Sequence, residues 1–160
     1  MYLVIYDGNC NLCVTLVQLL EKLDGGDRFS YVPMQDEPTL SRFEVTAADC
    51  ELGMILIELD EDGNAIHRRW QGSAAAEEIG HLLPMGQVFV NAYRALPGAK
   101  LAGDKAYEFI RDNRYQLFGQ RSETYQPAYP CADGRCSGAS AVPSPVAESI
   151  ADTNADPQVE

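Results

Sequence analysis

The chain has 160 residues, 46% of them apolar, and a formal net charge of −12 from 24 acids against 12 bases. That length suits one domain with a true hydrophobic core and leaves little room for two. A chain this acidic repels phosphate backbones and anionic lipid surfaces, which argues against nucleic acid or membrane as a partner, and no apolar run approaches the roughly 20 residues that span a bilayer.

The opening residues YLVIY (2–6) are apolar, aromatic and β-branched without alternation, and read as a strand buried on both faces. No basic region precedes this run, which ends at Asp7, so it is not a secretory signal, and a cytoplasmic location is expected. Gly8 permits a sharp turn. From Cys10 the period changes: Leu12, Leu16, Leu19, Leu20 and Leu23 recur at three- and four-residue intervals until Gly25-Gly26, which predicts an amphipathic helix with a glycine terminator. RFSYVPM (28–34) alternates and reads as a second strand, and residues 36–48 as a short helix with a loop. GMILIELD (53–60) is the strongest strand; EDGN supplies turn chemistry, and AIHRRW (65–70) reads as the returning strand of a hairpin. Ser73 is placed to cap a helix through Leu83, with Glu77 and Glu78 near its positive end and Pro84 just past its close. Two more helices are expected, at 86–96 and 103–118, separated by Pro97-Gly98, with Asp104 capping the second.

This order, β-α-β then a β-hairpin and a helix, predicts an α/β fold of thioredoxin-like type with extra C-terminal helices over residues 1–121. Residues 122–136 form an irregular extension that carries two cysteines. Residues 137–160 consist largely of Ser, Ala, Pro and acid with no aromatic, Lys or Arg, and are expected to be disordered, because they cannot bury enough apolar surface to offset their ordering entropy. Four acids lie in that tail, which leaves −8 on the remainder.

The cysteines are Cys10, Cys13, Cys50, Cys131 and Cys136. In a reducing compartment clustered cysteines are more often catalytic or metal-binding than stapling. Cys10 and Cys13 are spaced C-x-x-C where a buried strand hands over to a helix. The sulfurs can close a small-ring disulfide, and Cys10 sits over unsatisfied N–H groups at the positive end of the helix dipole. Such positions lower a cysteine pKa from about 8.5 to roughly 3.5–7.5. Cys10 thiolate is therefore expected to attack a substrate disulfide, and Cys13 to resolve the mixed disulfide. Asp7, at the strand end, opposes thiolate formation; it either accepts the Cys13 proton or accepts turn N–H bonds and braces the loop. Asn9 is expected to cap the helix.

These residues resemble a known family. YDGNCNLC (6–13) is similar to the D-x-x-C-x-x-C signature of the DCC family of thiol-disulfide oxidoreductases, named for that Asp-Cys-Cys set, and YEFIRDNRYQLFG (107–119) resembles the second motif of those proteins. The resemblance runs from about residue 2 to 121. It implies a thioredoxin-like fold, disulfide oxidoreductase activity and a site made of Asp7, Cys10 and Cys13. Arg111, Asn113 and Arg114 match the second motif without an assigned role. The helix around Tyr107, Phe109, Ile110 and Tyr115 is expected to pack on the sheet, while Arg111 and the N-R-Y stretch, Asn113, Arg114 and Tyr115, are candidates for lining the cleft beside the cysteines. One departure from thioredoxin proper is visible: CELGMI (50–55) has no proline where thioredoxins place a substrate-binding cis-proline.

Cys131 and Cys136, spaced C-x4-C, are open to three readings: an auxiliary dithiol or labile disulfide, a zinc site completed by Cys10 and Cys13, or two thiols without a role. Cys50 reads as a small buried hydrophobe. His67 and His81 have no ligand-spaced partner, and Arg68-Arg69-Trp70 reads as an ordinary strand with solvated arginines, with a small anion or partner site as the alternative. No G-x-G-x-x-G, P-loop, G-x-S-x-G or H-E-x-x-H occurs. The expected function is thiol–disulfide exchange with protein or small-molecule thiols and disulfides, without a metal or organic cofactor. The alternative is a zinc-binding or protein-interaction module with structural cysteines.

Overall fold

The computed structural model describes residues 1–84, 86–132, 135 and 136. Its elements in chain order are β1 (Tyr2–Tyr6), α1 (Asn11–Asp24), β2 (Phe29–Pro33), α2 (Glu37–Arg42), α3 (Ala47–Glu51), β3 (Ile55–Leu59), β4 (Ala65–Gln71), α4 (Ser73–Leu82), α5 (Gly86–Ala95), α6 (Ala99–Phe118), and the two-residue strands β5 (Cys131–Ala132) and β6 (Arg135–Cys136). The expected tail at 137–160 lies outside the described residues.

The unbroken apolar run of β1 follows from its place inside the sheet. The strand order is β2-β1-β3-β4, with β1 parallel to β2 and antiparallel to β3, and β3 antiparallel to β4. Strand side chains alternate between faces, so β1 feeds two cores. Leu3 and Ile5 pack with Val32, Leu40, Ile55 and Ile57 on one face. Val4 and Tyr6 pack with Val14, Val17, Phe29, Leu56 and Ile79 on the other. The result is the thioredoxin-like arrangement expected from the element order, with α5 and α6 added.

Helix α1 ends where Gly25 enters the left-handed region at φ 61, and its N–H returns to the Glu21 carbonyl. Its buried face is Val14, Val17, Leu20 and Glu21, whereas Leu16, Leu19 and Leu23 are exposed. The helix therefore docks on the sheet through its valines, and the periodic leucines that predicted it mostly lie on the solvent side.

Other boundaries moved for identifiable reasons. Residues 36–48 hold one short helix and the start of another: Asp36 caps α2, and Thr46 with Asp49 forms a capping box on α3. Gly72, not Ser73, is the N-cap of α4. Glu77 accepts from Arg94 on α5 and Lys100 on α6, tying the three helices together. Helix α6 begins at Ala99 after left-handed Gly98, so Asp104 sits inside it and pairs with Lys100 instead of capping.

The extension after α6 is built into the fold. The Asn11 N–H reaches the Gly119 carbonyl at 3.4 Å, Arg121 N–H the Asn9 carbonyl at 2.7 Å and Tyr125 N–H the Gly8 carbonyl at 3.0 Å. Buried Glu21 accepts from the Tyr125 hydroxyl at 2.9 Å and from the Ala128 N–H at 2.6 Å. The segment then runs along the free edge of β2, where Tyr31 N–H meets the Tyr129 carbonyl at 3.0 Å. Among the described residues no helix is long and apolar enough to cross a membrane.

Candidate active site

The strand-to-helix junction places Cys10 as the N-cap of α1, in extended backbone at φ −89 and ψ 120. Its Sγ accepts the Cys13 N–H at 3.4 Å, the task that Ser, Asn or Asp performs at most caps. Asn9, the expected cap, is engaged elsewhere. Its N–H donates to Asp7 Oδ1 at 2.9 Å and its Oδ1 accepts from the Thr124 hydroxyl at 2.8 Å.

This geometry separates the two thiols electrostatically. A hydrogen bond from the Cys13 thiol, then the Cys13 N–H and the Arg114 charge, bring Cys10 down to about 6, against the opposing effects of burial and Asp7. The same hydrogen bond pushes Cys13 well up, reinforced by burial and the charge on Cys10. The pair behaves as one titrating unit that loses its first proton from Cys10.

Asp7 is 5% exposed and both of its oxygens are occupied. Oδ1 accepts from Asn9 N–H and from Gln35 Nε2 at 3.0 Å. Oδ2 accepts from Arg114 Nη2 at 3.4 Å and from the Tyr115 hydroxyl. The Arg114 guanidinium lies 4.9 Å from the Tyr115 ring centroid. Thus α6 brings its N-R-Y stretch back onto the D-x-x-C-x-x-C turn.

The second-motif residues divide. Arg114 is buried and Arg111 lies at the cavity wall, its Nη1 donating to the Leu52 carbonyl at 3.4 Å. Asn113 donates to the Phe109 carbonyl of its own helix and is not among the cavity-lining residues. Phe109 is exposed rather than packed on the sheet. Tyr115 belongs to the N-R-Y stretch that the sequence offered as cleft-lining, whereas Tyr107 and Gln35 are candidate-site residues that it did not single out as such.

A mostly apolar cavity lies between α1, α6 and the start of β3, with Leu12, Cys13, Leu16, Met54, Ile110 and Arg114 in its wall. Among the described residues no peptide bond is cis. Where thioredoxins have their proline, Gly53 adopts φ 125 and the Met54 N–H donates to the Tyr107 hydroxyl at 3.3 Å. The backbone donor nearest that route is therefore already partnered.

Cys131 and Cys136 are bonded to each other. They pack with Leu3, Ile5 and Cys50, on the sheet face opposite the one that Cys13 packs against. Among the described residues no group of three or more His, Cys, Asp or Glu side chains is placed to hold a metal ion, so the four-cysteine set Cys10, Cys13, Cys131 and Cys136 is not assembled. Cys50 is buried in the core as expected, with its thiol pushed up to about 11 chiefly by burial. His67 lies on exposed β4 and His81 in the last turn of α4, and Arg68 and Arg69 pair loosely with Glu58 and Asp49.

A family model described as DCC1-like thiol-disulfide oxidoreductase matches residues 4–120 of the chain. The Bacillus subtilis (strain 168) protein titled uncharacterized protein YuxK is 30% identical over 125 residues, covering 78% of this chain and 86% of that one. No solved structure matches.

Proposed function

The chain belongs to the DCC1-like thiol-disulfide oxidoreductase family, and from that premise we propose that it exchanges disulfides through Cys10 and Cys13. The observation that carries this reading is the unequal thiol pair at the start of α1: Cys10 near 6 and Cys13 well above its ordinary value. A dithiol whose first cysteine is ionised at neutral pH and whose second lies one helical turn away has the parts of an exchange centre. In each cycle the Cys10–Cys13 disulfide takes two electrons from a substrate dithiol, which leaves as a disulfide, or the reverse. The substrates are protein or small-molecule thiols and disulfides.

Asp7 acts here as a brace. Four donors fill its two oxygens, which leaves no free lone pair aimed at Cys13 without breaking a contact. It fixes the turn from strand to helix and holds Arg114 near the thiols. The test is a redox titration of the reduced protein beside Cys10→Ser, followed by alkylation of free thiols and intact mass. The wild type should gain a reversible internal disulfide between Cys10 and Cys13. Failure to form it across the glutathione range, about −180 to −320 mV, removes the proposal.

A further inference from the structure

The two sulfurs of the exchanging pair differ in access. Cys10 is 0% exposed. Gln120 is bridged to it, and the Arg121 N–H to Asn9 carbonyl bond at 2.7 Å and the Thr124 hydroxyl to Asn9 Oδ1 bond at 2.8 Å hold the return segment beside it. The contact is close: a Cβ on Gly8 would lie 2.6 Å from the Thr124 methyl. Cys13 lies one turn further along α1, is partly exposed and forms part of the cavity wall with Leu12, Leu16, Met54 and Ile110; Cys10 does not line that cavity. Arg114 lines it too. Its Nη2 serves Asp7 and Tyr115, while its buried Nε–H has no hydrogen-bond partner among the described residues.

On the reading of Cys10 and Cys13 as an exchanging pair, we propose that substrate enters at Cys13, in place of the attack through Cys10 expected from the sequence: a thiolate carried on an apolar group enters the cavity, attacks Cys13 Sγ of the oxidised pair, and expels Cys10. The Cys10–Cys13 bond breaks, a substrate–Cys13 bond forms, and the electron pair of the broken bond stays on Cys10. A second substrate thiol, having lost its proton, then attacks the substrate sulfur of the mixed disulfide. Cys13 departs and takes up a proton, the substrate leaves as a disulfide, and the pair has gained two electrons.

Access and charge around the pair suit the first of these exchanges. Leaving-group thiols of low pKa depart faster, and the Cys13 N–H, which points at Cys10 Sγ at 3.4 Å, together with the Arg114 charge favours the thiolate on the departing Cys10. Arg114 in the cavity wall supplies a positive charge near an anionic sulfur, with Asp7 of the same wall as its counter-ion. In the reduced pair Cys13 carries the proton, which makes it a poor attacking group on a disulfide. The site is thus built to accept electrons from apolar thiols.

The test uses the full chain, oxidised, with thiophenol as the probe. After a brief reaction the mixture is quenched with acid, free thiols are blocked with N-ethylmaleimide, and fragment-ion mass spectrometry assigns the adducts on either side of Asn11-Leu12. The expected result is phenylthio on Cys13 and maleimide on Cys10, in about tenfold or greater excess over the reverse. Equal labelling, or phenylthio mainly on Cys10, overturns the inference while leaving the exchange reading intact. Absence of a Cys10–Cys13 disulfide in the starting material removes the exchange reading and this inference with it. A second variant, Leu16→Glu, puts a carboxylate at the cavity wall and should slow thiophenolate attack about tenfold by repulsion; an unchanged rate counts against entry by this route.

Discussion

Replacing Asp7 by Asn keeps the shape of the side chain and removes its charge. Asp7 receives four donors, from Asn9, Gln35, Arg114 and Tyr115. An amide has one acceptor oxygen, so whichever way it turns, its NH2 faces two donors that have lost their acceptor. Arg114, with its side chain 10% exposed, is left as a buried cation without its counter-ion. Removing one partner of such a pair costs about 3–5 kcal/mol, out of a total stability of about 5–15 kcal/mol. At about 3 °C per kcal/mol for a domain of this size, the melting point should fall by about 10–15 °C. Arg114→Met removes the other partner, and the double variant, which leaves no unpaired charge, should cost less than the sum of the singles by about 2 kcal/mol or more. Urea unfolding of the four reduced proteins measures this cycle. If Asp7→Asn is destabilised by less than about 1 kcal/mol, or the two changes add, the description of Asp7 and Arg114 as a mutually dependent buried pair is wrong.

The same variants should move the thiols in opposite directions, because Asp7 raises and Arg114 lowers the Cys10 pKa: followed by thiolate absorbance, the wild-type transition near 6 should shift down in Asp7→Asn and up in Arg114→Met. Since folding lowers the Cys10 pKa, the stability this supplies to the reduced protein is complete above the pKa of an unfolded cysteine, about 8.5, and is lost as the pH falls through about 6. The stability gap between reduced wild type and Cys10→Ser should accordingly be wider at about pH 8 than at about pH 5, and a gap independent of pH would contradict the assignment. Gly53→Ala forces a side chain into left-handed backbone at φ 125, with its Cβ 2.6 Å from the Tyr107 hydroxyl; thermal unfolding should register a loss of at least about 1 kcal/mol, and a neutral change would show that α6 yields freely at that contact. Glu21→Gln puts an amide donor toward the Tyr125 hydroxyl or the Ala128 N–H, and hydrogen exchange in residues 119–131 should quicken while β1 and β3 stay protected; uniform protection would show that Glu21 does not anchor the return segment.

The element order was legible because its signals are local. The switch from the unbroken run of β1 to helical spacing after Cys10, and the glycines at 25–26, need no knowledge of what packs where. The docking face of α1 was not legible, since two apolar stripes run along it at helical spacing. One is Leu12, Leu16, Leu19 and Leu23; the other is Val14, Val17 and Leu20. Periodicity cannot choose between them, and the sheet selects the valines. The Asn9 cap failed for a related reason: Asp7 and Thr124 claim its polar groups, which leaves the Cys10 sulfur to meet the Cys13 N–H.

The site divides along the same line. Asp7, Cys10 and Cys13 fall within one turn, so spacing alone brings them together. Arg114 and Tyr115 arrive from a helix whose face toward the turn depends on the close packing of Tyr107 against Gly53 and Gly72. The largest consequence comes from the stretch that looked least structured. Residues 122–136 read as an irregular extension, yet 119–125 run hydrogen-bonded along Gly8, Asn9 and Asn11, with Gln120 bridged to the buried Cys10. C-x-x-C spacing specifies two sulfurs close enough to bond, and a helix N-terminus specifies which one ionises. Neither specifies which sulfur a substrate can reach. That depends on a segment about 110 residues away in sequence: Gln120 bridges to Cys10, which is fully buried, whereas Cys13 lines the cavity, and on this difference rests the proposal that the leaving group and the point of attack fall on different cysteines.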